Sequence, residues 1–348
     1  MQNKFALTLA ATLSLALVGC GGGGGGSSTQ APTTPPVATN PTPTPTVLAA
    51  STQAAATPTY LAGSEQMTAF TALTAFRAAM ALPPVNQSTK IDMAAQAHSD
   101  YIANNVGVTS VHEETAGKPG FTGVTVKERL LAASYVATNA GEVIGWTGEM
   151  AVASEAIEGL SATVYHRVIM MREDWTDVGI APPVNNPGRP AYIDFGIASV
   201  QQNVAGDYVG VYPANGQTAV GLTHAPEDPN PFADIDGTAA SFCAKTSFPI
   251  SVMTQRSTKL AVSNFTVTEA GQTTPLNVRL VTSDSDKSGF VPQNVAFIVG
   301  KAPFKPSTKY NVTFTGTATG LATGAANGVL NISKSWSFTT NTKDYRCQ

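Results

Sequence analysis

The sequence has little charge and few of the residues that usually carry catalysis. Only 12% of its residues are charged, the net charge is −3, and no basic block occurs. Proteins that bind nucleic acid need a basic patch to neutralise phosphates, so no nucleic-acid partner is expected. Polybasic segments that would steer the chain to acidic membranes are missing as well. With four histidines and three cysteines, candidates for metal or nucleophile sites are few.

Several catalytic signatures are also missing from the sequence. It contains no HExxH zinc motif, no GxSxG nucleophile elbow and no Walker loop. The apolar run at positions 5–18 is too short for a comfortable membrane span, which takes roughly 20 residues. The run is typical of a secretory signal peptide instead.

The N-terminal segment ends in 17-LVGC-20, which resembles the bacterial lipobox. In that motif the cysteine is diacylated and becomes the mature N-terminus. We therefore predict a lipoprotein signal peptide over 1–20 and a lipid on Cys20, since two or three acyl chains give stable membrane anchoring. Gly21 rather than Asp follows, so the resemblance implies the outer membrane if the cell has two. An ordinary signal peptide with a chance cysteine is the alternative.

Residues 21–63 pass from a Gly/Ser stretch into a Pro/Thr-rich spacer. They have too few apolar side chains to form a core. We predict a disordered tether that holds the folded part away from the lipid surface of the cell envelope, on the periplasmic or the outer side.

The rest of the sequence has two regions with different hydrophobic patterns. In 64–200, apolar residues recur every three or four positions within 67–82, and Thr125 with Glu128 forms a capping box, before strand-like runs at 175–182 and 190–199. This pattern predicts an α+β domain or a layered α-β-α domain. Short alternating strands in 225–348 predict an all-β sandwich. Residues 201–224 are predicted to connect the two, with 223–237 as a Pro-rich linker.

The cysteines left over form an even pair. With Cys20 assigned to the lipid, Cys243 and Cys347 remain, and an oxidising compartment favours a disulfide between them. Closing a loop of roughly 100 residues contributes up to about 4–5 kcal/mol in the chain-entropy model.

Two of the histidines are weak candidates for chemistry. His98 lies on the apolar face of a predicted helix and is interpreted as a core histidine, while His224 lies in the predicted linker and is given no role. His112 and His166 each flank a helix, and Glu142 lies in a turn-like segment. Spacing alone does not establish that these three meet.

A family resemblance links them. The runs that carry it are 96-QAHSDYIANN-105, His112-Glu113, 120-GFTG-123, Gly141-Glu142 and 165-YHR-167 followed by 178-VGIA-181. Their order and spacing resemble the CAP superfamily (cysteine-rich secretory, antigen 5 and pathogenesis-related proteins, or SCP-like domains), in its bacterial extracellular branch. The resemblance spans about residues 65–200.

The resemblance implies an α-β-α sandwich with a cleft lined by two His and two Glu, which in some members holds a divalent metal. By position, His112, Glu142 and His166 match the first His, the first Glu and the second His. The second Glu has no match, because Leu160 and Thr163 stand where the family pattern W-x-x-E has Trp and Glu. Nearby substitutes are Glu149, Glu155 and Glu158, of which Glu158 is kept as a cleft candidate.

The C-terminal half carries a second resemblance. The runs 302–320 and 335–340 are similar to bacterial Ig-like domains, which usually serve as spacers or adhesion modules. Trp336 is interpreted as a core residue of that sandwich.

Three functions remain open. The first is binding of a lipid, glycan or protein ligand in the cleft by a lipid-anchored envelope protein. The second is a metal-assisted hydrolase or peptidase with Zn²⁺ on His112, Glu142 and His166 and water in an open position. The third is an adhesion or structural surface module. Because no nucleophile is identifiable and no catalytic residue can be assigned, binding is favoured over catalysis.

Overall fold

A computed structural model describes most of the chain from residue 56 onward. The described ranges are 56–105, 107–108, 110–146, 153–182, 190–198, 203–320, 328–344 and 346–347. The predicted signal peptide, Cys20, the tether up to residue 55 and Glu149 lie outside these ranges. Within them, no helix is long and apolar enough to cross a membrane.

The first half of the described chain consists of helices around one sheet. The helices are α1 Glu65–Ala79, α2 Thr89–Asn104, α3 Val126–Ala132, α4 Ala153–Ser161 and α5 Tyr165–Met170. The strands are β1 Asn86–Gln87, β2 Asn139–Trp146, β3 Asp177–Ala181 and β4 Pro190–Ile197, in the spatial order β1-β3-β4-β2. β1 pairs parallel with β3, and the other pairs are antiparallel. The predicted α+β class is confirmed.

Local sequence explains where the helices begin. Ser64 caps α1 by accepting a hydrogen bond from the Met67 backbone N–H at 3.2 Å. The predicted capping box of Thr125 and Glu128 opens α3, which satisfies backbone donors that the first helical turn leaves unpaired.

The helices pack on both faces of the sheet. On one face, α2 and α3 cover side chains that include Ile144 and Tyr192. On the other face, α1, α4 and α5 cover Val143, Ile193 and Phe195 in the main hydrophobic core. Since β2 ends the strand order, groups from the two helical layers can meet beyond its edge.

The second half forms two antiparallel sheets. Its elements are β5 Val209–Tyr212, α6 Ala239–Lys245, β6 Ile250–Thr254, β7 Lys259–Glu269, β8 Val278–Thr282, β9 Val295–Gly300, β10 Lys309–Thr319 and β11 Val329–Thr339. The sheet orders are β5-β6-β9-β8 and β11-β10-β7. Trp336 is buried against Phe265. The Ig-like assignment of this half stays a prediction.

The segment between the halves is packed. The predicted connector 201–224 contributes β5, which pairs antiparallel with β6. In the predicted linker, Phe232 and Ile235 are buried in the same core as residues of both halves. These apolar side chains lie among prolines. The composition indicates an exposed loop, but the segment is buried. Cys243 of α6 forms a disulfide with Cys347.

Candidate functional site

The loop that carries His112 is built around a buried carboxylate. Glu114 accepts hydrogen bonds from the backbone N–H groups of Thr122 at 2.6 Å and Gly123 at 3.3 Å. Its other oxygen lies 3.0 Å from Nδ1 of His98, whose Nε2 lies 2.9 Å from the Val111 carbonyl. His98 is fully buried and fixes the loop from beneath, which is a structural role.

His112 forms the first His–Glu pair of the cleft. Its Nδ1 lies 2.8 Å from Oε1 of Glu142 on β2, and Nη2 of Arg129 on α3 donates to Oε2 at 2.7 Å. Burial by itself raises the pKa of Glu142, but the hydrogen bond from His112 and the charge of Arg129 hold it below its usual value. Glu142 is therefore a carboxylate, so Nδ1 of His112 is the donor in this pair and Nε2 is the ring nitrogen left for a ligand.

A second buried acid lies behind this pair. Asp194 on β4 is the cross-strand neighbour of Glu142. Burial, and then the negative charge of Glu142, raise the pKa of Asp194 well above its ordinary value. This shift favours the neutral form of Asp194, while Glu142 is the acid that pairs with Arg129.

His166 forms the second pair, with an acid that sequence reasoning missed. Its Nδ1 lies 3.1 Å from Oε2 of Glu227, which also accepts the backbone N–H of Tyr165 at 3.0 Å, while Oε1 accepts that of Val164 at 2.8 Å. Nε2 of His224 lies 3.1 Å from Oε1 of the same carboxylate.

Glu227 is a buried carboxylate. Burial raises its pKa, but the hydrogen bond from His166 and the close approach of the His224 ring outweigh that and lower the pKa to about 2. As with the first pair, the carboxylate accepts from Nδ1–H of His166 and leaves Nε2 as the ring nitrogen for a ligand.

The two pairs face each other. The ring centroids of His112 and His166 lie 6.5 Å apart, and the side chains are 44% and 18% exposed. The structure therefore brings together His112, Glu142 and His166, and adds Glu227. Glu158 lies on α4, where Arg346 and Glu155 are its charged neighbours and burial raises its pKa.

One signal could have pointed to Glu227. The segment 223-THAPEDPNP-231 places a His and a Glu three residues apart, although the prolines favour a linker. In the structure His224 is fully buried, and its ring stacks on Phe242 of α6 at 5.0 Å. His224, predicted to have no role, is a partner of Glu227.

Of the four side chains in the two pairs, only the two histidines could coordinate a divalent metal. A metal-binding His commonly donates its other ring N–H to a carboxylate, as His112 and His166 do here. Both carboxylates are engaged by these histidines, by Arg129 or by backbone N–H groups. In the described ranges no group of three or more His, Cys, Asp or Glu is arranged to hold a metal ion. Nε2 of His112 and Nε2 of His166 would therefore hold it, with solvent or ligand completing the coordination.

Apolar surface flanks the first pair, and a pocket lies next to the second. Val111, Phe121 and Val124 in the His112 loop are exposed. A pocket of about 250 Å³ is lined by Tyr165, by residues 230–234, and by residues of β8 and the loop after it.

One family model matches part of the first half of the chain. Residues 70–192 match the family model named CAP, the cysteine-rich secretory protein family. The match includes His112, Glu142 and His166 and ends before Glu227. No curated protein matches the chain.

Two solved structures are similar to part of the chain. One is an extracellular protein containing an SCP domain from Bacillus anthracis str. Ames, with 18% identity, a TM-score of 0.32 and coverage of 38% of this chain. The chain spans 40% of the length of that protein. The other is an outer surface protein from Borrelia burgdorferi, with 11% identity, a TM-score of 0.33 and coverage of 40% of this chain and 97% of that one.

Proposed function

Because residues 70–192 of this chain match the CAP family model, we propose that the cleft between His112 and His166 binds a ligand or partner in the cell envelope. The observation that carries this proposal is the paired arrangement of the two histidines. Each ring is fixed through Nδ1 by a buried carboxylate, and each side chain is partly exposed. Groups held in this way are preorganised to contact a ligand through Nε2.

The surroundings favour a ligand with both polar and apolar parts. The two Nε2 atoms accept hydrogen bonds or coordinate a cation, while Val111, Phe121 and Val124 offer exposed apolar surface next to His112. An envelope lipid, a glycan with an apolar aglycone, and a protein segment all have this chemistry. A divalent metal such as Zn²⁺ would add an electrophilic centre between the two rings.

The first test is zinc binding by calorimetry, with protein that lacks residues 1–55. We expect zinc to bind, and His112→Ala or His166→Ala to weaken binding at least about 10-fold, since each removes one of two ring ligands. Glu113→Ala is the matched control, because Glu113 is exposed beside His112 and belongs to neither pair. Equal zinc affinity in the wild type and both histidine variants would remove the metal from the proposal.

Ligand binding is tested separately from the metal. Vesicles of bacterial phospholipid, soluble peptidoglycan fragments and envelope proteins would be titrated against the wild type and a His112→Ala/His166→Ala variant. We expect one of these classes to bind the wild type and to lose affinity for the variant. Equal binding of every class by both proteins would exclude the cleft as the ligand site.

Metal-assisted hydrolysis is a second candidate function. The observation in its favour is that each histidine is oriented by a carboxylate, as general bases commonly are. Peptide and ester libraries incubated with zinc would show turnover that the double histidine variant loses. Turnover that does not exceed that of the variant would exclude it.

An adhesion role is the third candidate, and its test has to respect the fold. Deleting 225–348 would also delete Glu227 and the buried side chains of Phe232 and Ile235, so any loss would be ambiguous. Adhesion that survives Glu227→Gln and the histidine substitutions in the full chain would favour the C-terminal half as the functional part.

We also propose that a lipid on Cys20 anchors the protein to the membrane. Incorporation of labelled fatty acid into the wild type, and its loss in Cys20→Ala, would test this directly. Equal labelling of the two proteins would contradict it.

A further inference from the structure

We propose that the cleft is a composite site, in which Glu227 is a positioning residue for His166 and is held in place by the disulfide-linked C-terminal tail. The second half of the site would then be supplied from outside the CAP domain. The role of this arrangement in ligand binding rests on the proposed function. The contacts that join Glu227, His166 and the tail do not depend on it.

Glu227 fixes the backbone and the ring of His166 together. Its Oε2 accepts the His166 backbone N–H at 3.4 Å and lies 3.1 Å from Nδ1 of the same residue. Its carboxylate also accepts two N–H groups at the start of α5, from Val164 and Tyr165. A carboxylate held in this way admits Nδ1–H and disfavours the other tautomer, so it decides which ring nitrogen is presented to a ligand.

The segment that carries Glu227 is bound to the C-terminal tail. Thr223 donates from Oγ1 to Asp344 at 2.5 Å, and its carbonyl accepts from Nη2 of Arg346 at 3.4 Å. The same hydroxyl lies 3.3 Å from Sγ of Cys347, which is bonded to Cys243 on α6.

Helix α6 holds the next residue along. Oγ1 of Thr246, the C-cap residue of α6, accepts the His224 backbone N–H at 3.1 Å, and the His224 ring stacks on Phe242. The disulfide therefore joins the tail and α6, the two elements between which Thr223 and His224 are held, four and three residues before Glu227. In the described residues, no hydrogen bond or ion pair joins Glu142 to Thr223, His224, α6 or the tail; its partners are His98, His112 and Arg129.

The competing explanation is that Glu227 merely caps α5. A cap would stabilise the protein without any specific effect on the His166 ring. The two roles are separable, because the tautomer of a histidine ring is read directly from its nitrogen chemical shifts.

The experiment uses protein without residues 1–55, labelled with ¹⁵N in histidine. Long-range ¹H–¹⁵N spectra report the Nδ1–H and Nε2–H forms of all four rings. We expect His112 and His166 of the wild type to be in the Nδ1–H form. Glu227→Gln places an amide N–H₂ among the donors around the old carboxylate, and should shift His166 toward Nε2–H while leaving His112 unchanged. Glu142→Gln is the mirror control and should affect His112 alone.

The disulfide is tested in the same way. Reduction by dithiothreitol transfers two electrons and two protons, converts Cys243 and Cys347 to thiols, and oxidises the reagent to its cyclic disulfide. We expect the His166 signals of the reduced protein to broaden or shift while those of His112 stay in place. The Cys243→Ser/Cys347→Ser variant should reproduce that spectrum and no longer respond to dithiothreitol.

Zinc affinity gives the functional readout. Loss of an outer-shell carboxylate typically costs about 10–100-fold in metal affinity, so we expect Glu227→Gln to weaken binding by that factor. Glu227→Asp, which keeps the charge, should restore part of it. Identical responses of His112 and His166 to Glu227→Gln, or an unchanged His166 tautomer, would overturn the composite site. Absence of zinc binding by a wild type with the expected tautomers would refute the metal and leave the composite site standing.

Discussion

The two His–Glu pairs of the cleft use the same residue types but compensate the buried carboxylate differently. Glu142 is balanced by the hydrogen bond from His112 at 2.8 Å and by one permanent cation, Arg129 at 2.7 Å. Glu227 is balanced by backbone N–H groups and by the rings of His166 and His224. A charge in a protein interior needs a counter-charge or hydrogen-bond donors. The first pair therefore depends on two side chains, of which Arg129 is the permanent cation, and the second on the position of a chain segment.

The largest expected loss of stability follows substitution of Arg129. Arg129→Met removes the cation and leaves Glu142 buried without it, which we expect to cost about 3–5 kcal/mol of unfolding free energy. Urea denaturation at neutral pH measures the loss. The double variant Arg129→Met/Glu142→Gln should regain part of the stability, because the unpaired charge is gone.

An exposed pair provides the control for that experiment. Lys259 forms an ion pair with Asp284 at 3.6 Å, and their side chains are 55% and 77% exposed, so we expect Lys259→Met to cost only about 1 kcal/mol or less. A similar cost for the Arg129 and Lys259 substitutions would mean that burial does not set the value of Arg129.

The stability that Glu227 of the second pair contributes depends on pH. The pKa of Glu227 is lowered from 4.5 to about 2, so the folded protein binds this proton less readily than the unfolded chain does. Its contribution is fully present above pH 4.5 and is lost as the pH falls toward 2. A shift of this size corresponds to about 3 kcal/mol at most.

The measurement is thermal or urea unfolding between about pH 6 and pH 2, a range that brackets both pKa values. Glu227→Gln removes the group that titrates, so its stability should fall less steeply over this range than that of the wild type, whatever its stability at the upper end. Parallel curves for the two proteins would show that Glu227 is not the group responsible.

Much of the first pair was accessible from the sequence, and the reason is local. Helical periodicity and the Thr125–Glu128 capping box predicted elements whose structure depends on neighbouring residues. The order of the family motifs singled out His112, Glu142 and His166, which the structure places around one cleft. These residues lie within the matched range 70–192.

Glu227 was not accessible because its role depends on tertiary contacts. It is separated from His166 by 61 residues, and it stands in a Pro-rich run whose composition indicates a surface loop. The burial of Phe232 and Ile235 in the shared core packs this run against the fold, where Glu227 contacts His166. The family pattern places the second acid on the helix before His166, and on that helix Glu158 lies beside Arg346.

The smallest expected effects come from two helix caps that support one pair each. Thr125 caps α3, which carries Arg129, and Thr238 caps α6, which carries Cys243. Thr125→Ala and Thr238→Ala should each cost about 1 kcal/mol, since each leaves an N-terminal backbone N–H without its side-chain acceptor. Native-state hydrogen exchange should show faster exchange in α3 for the first variant and in α6 for the second. If either variant increased exchange in both helices equally, the two halves of the cleft would open as one cooperative unit. The pair that depends on side chains and the pair that depends on a chain segment would then not differ in their dynamics.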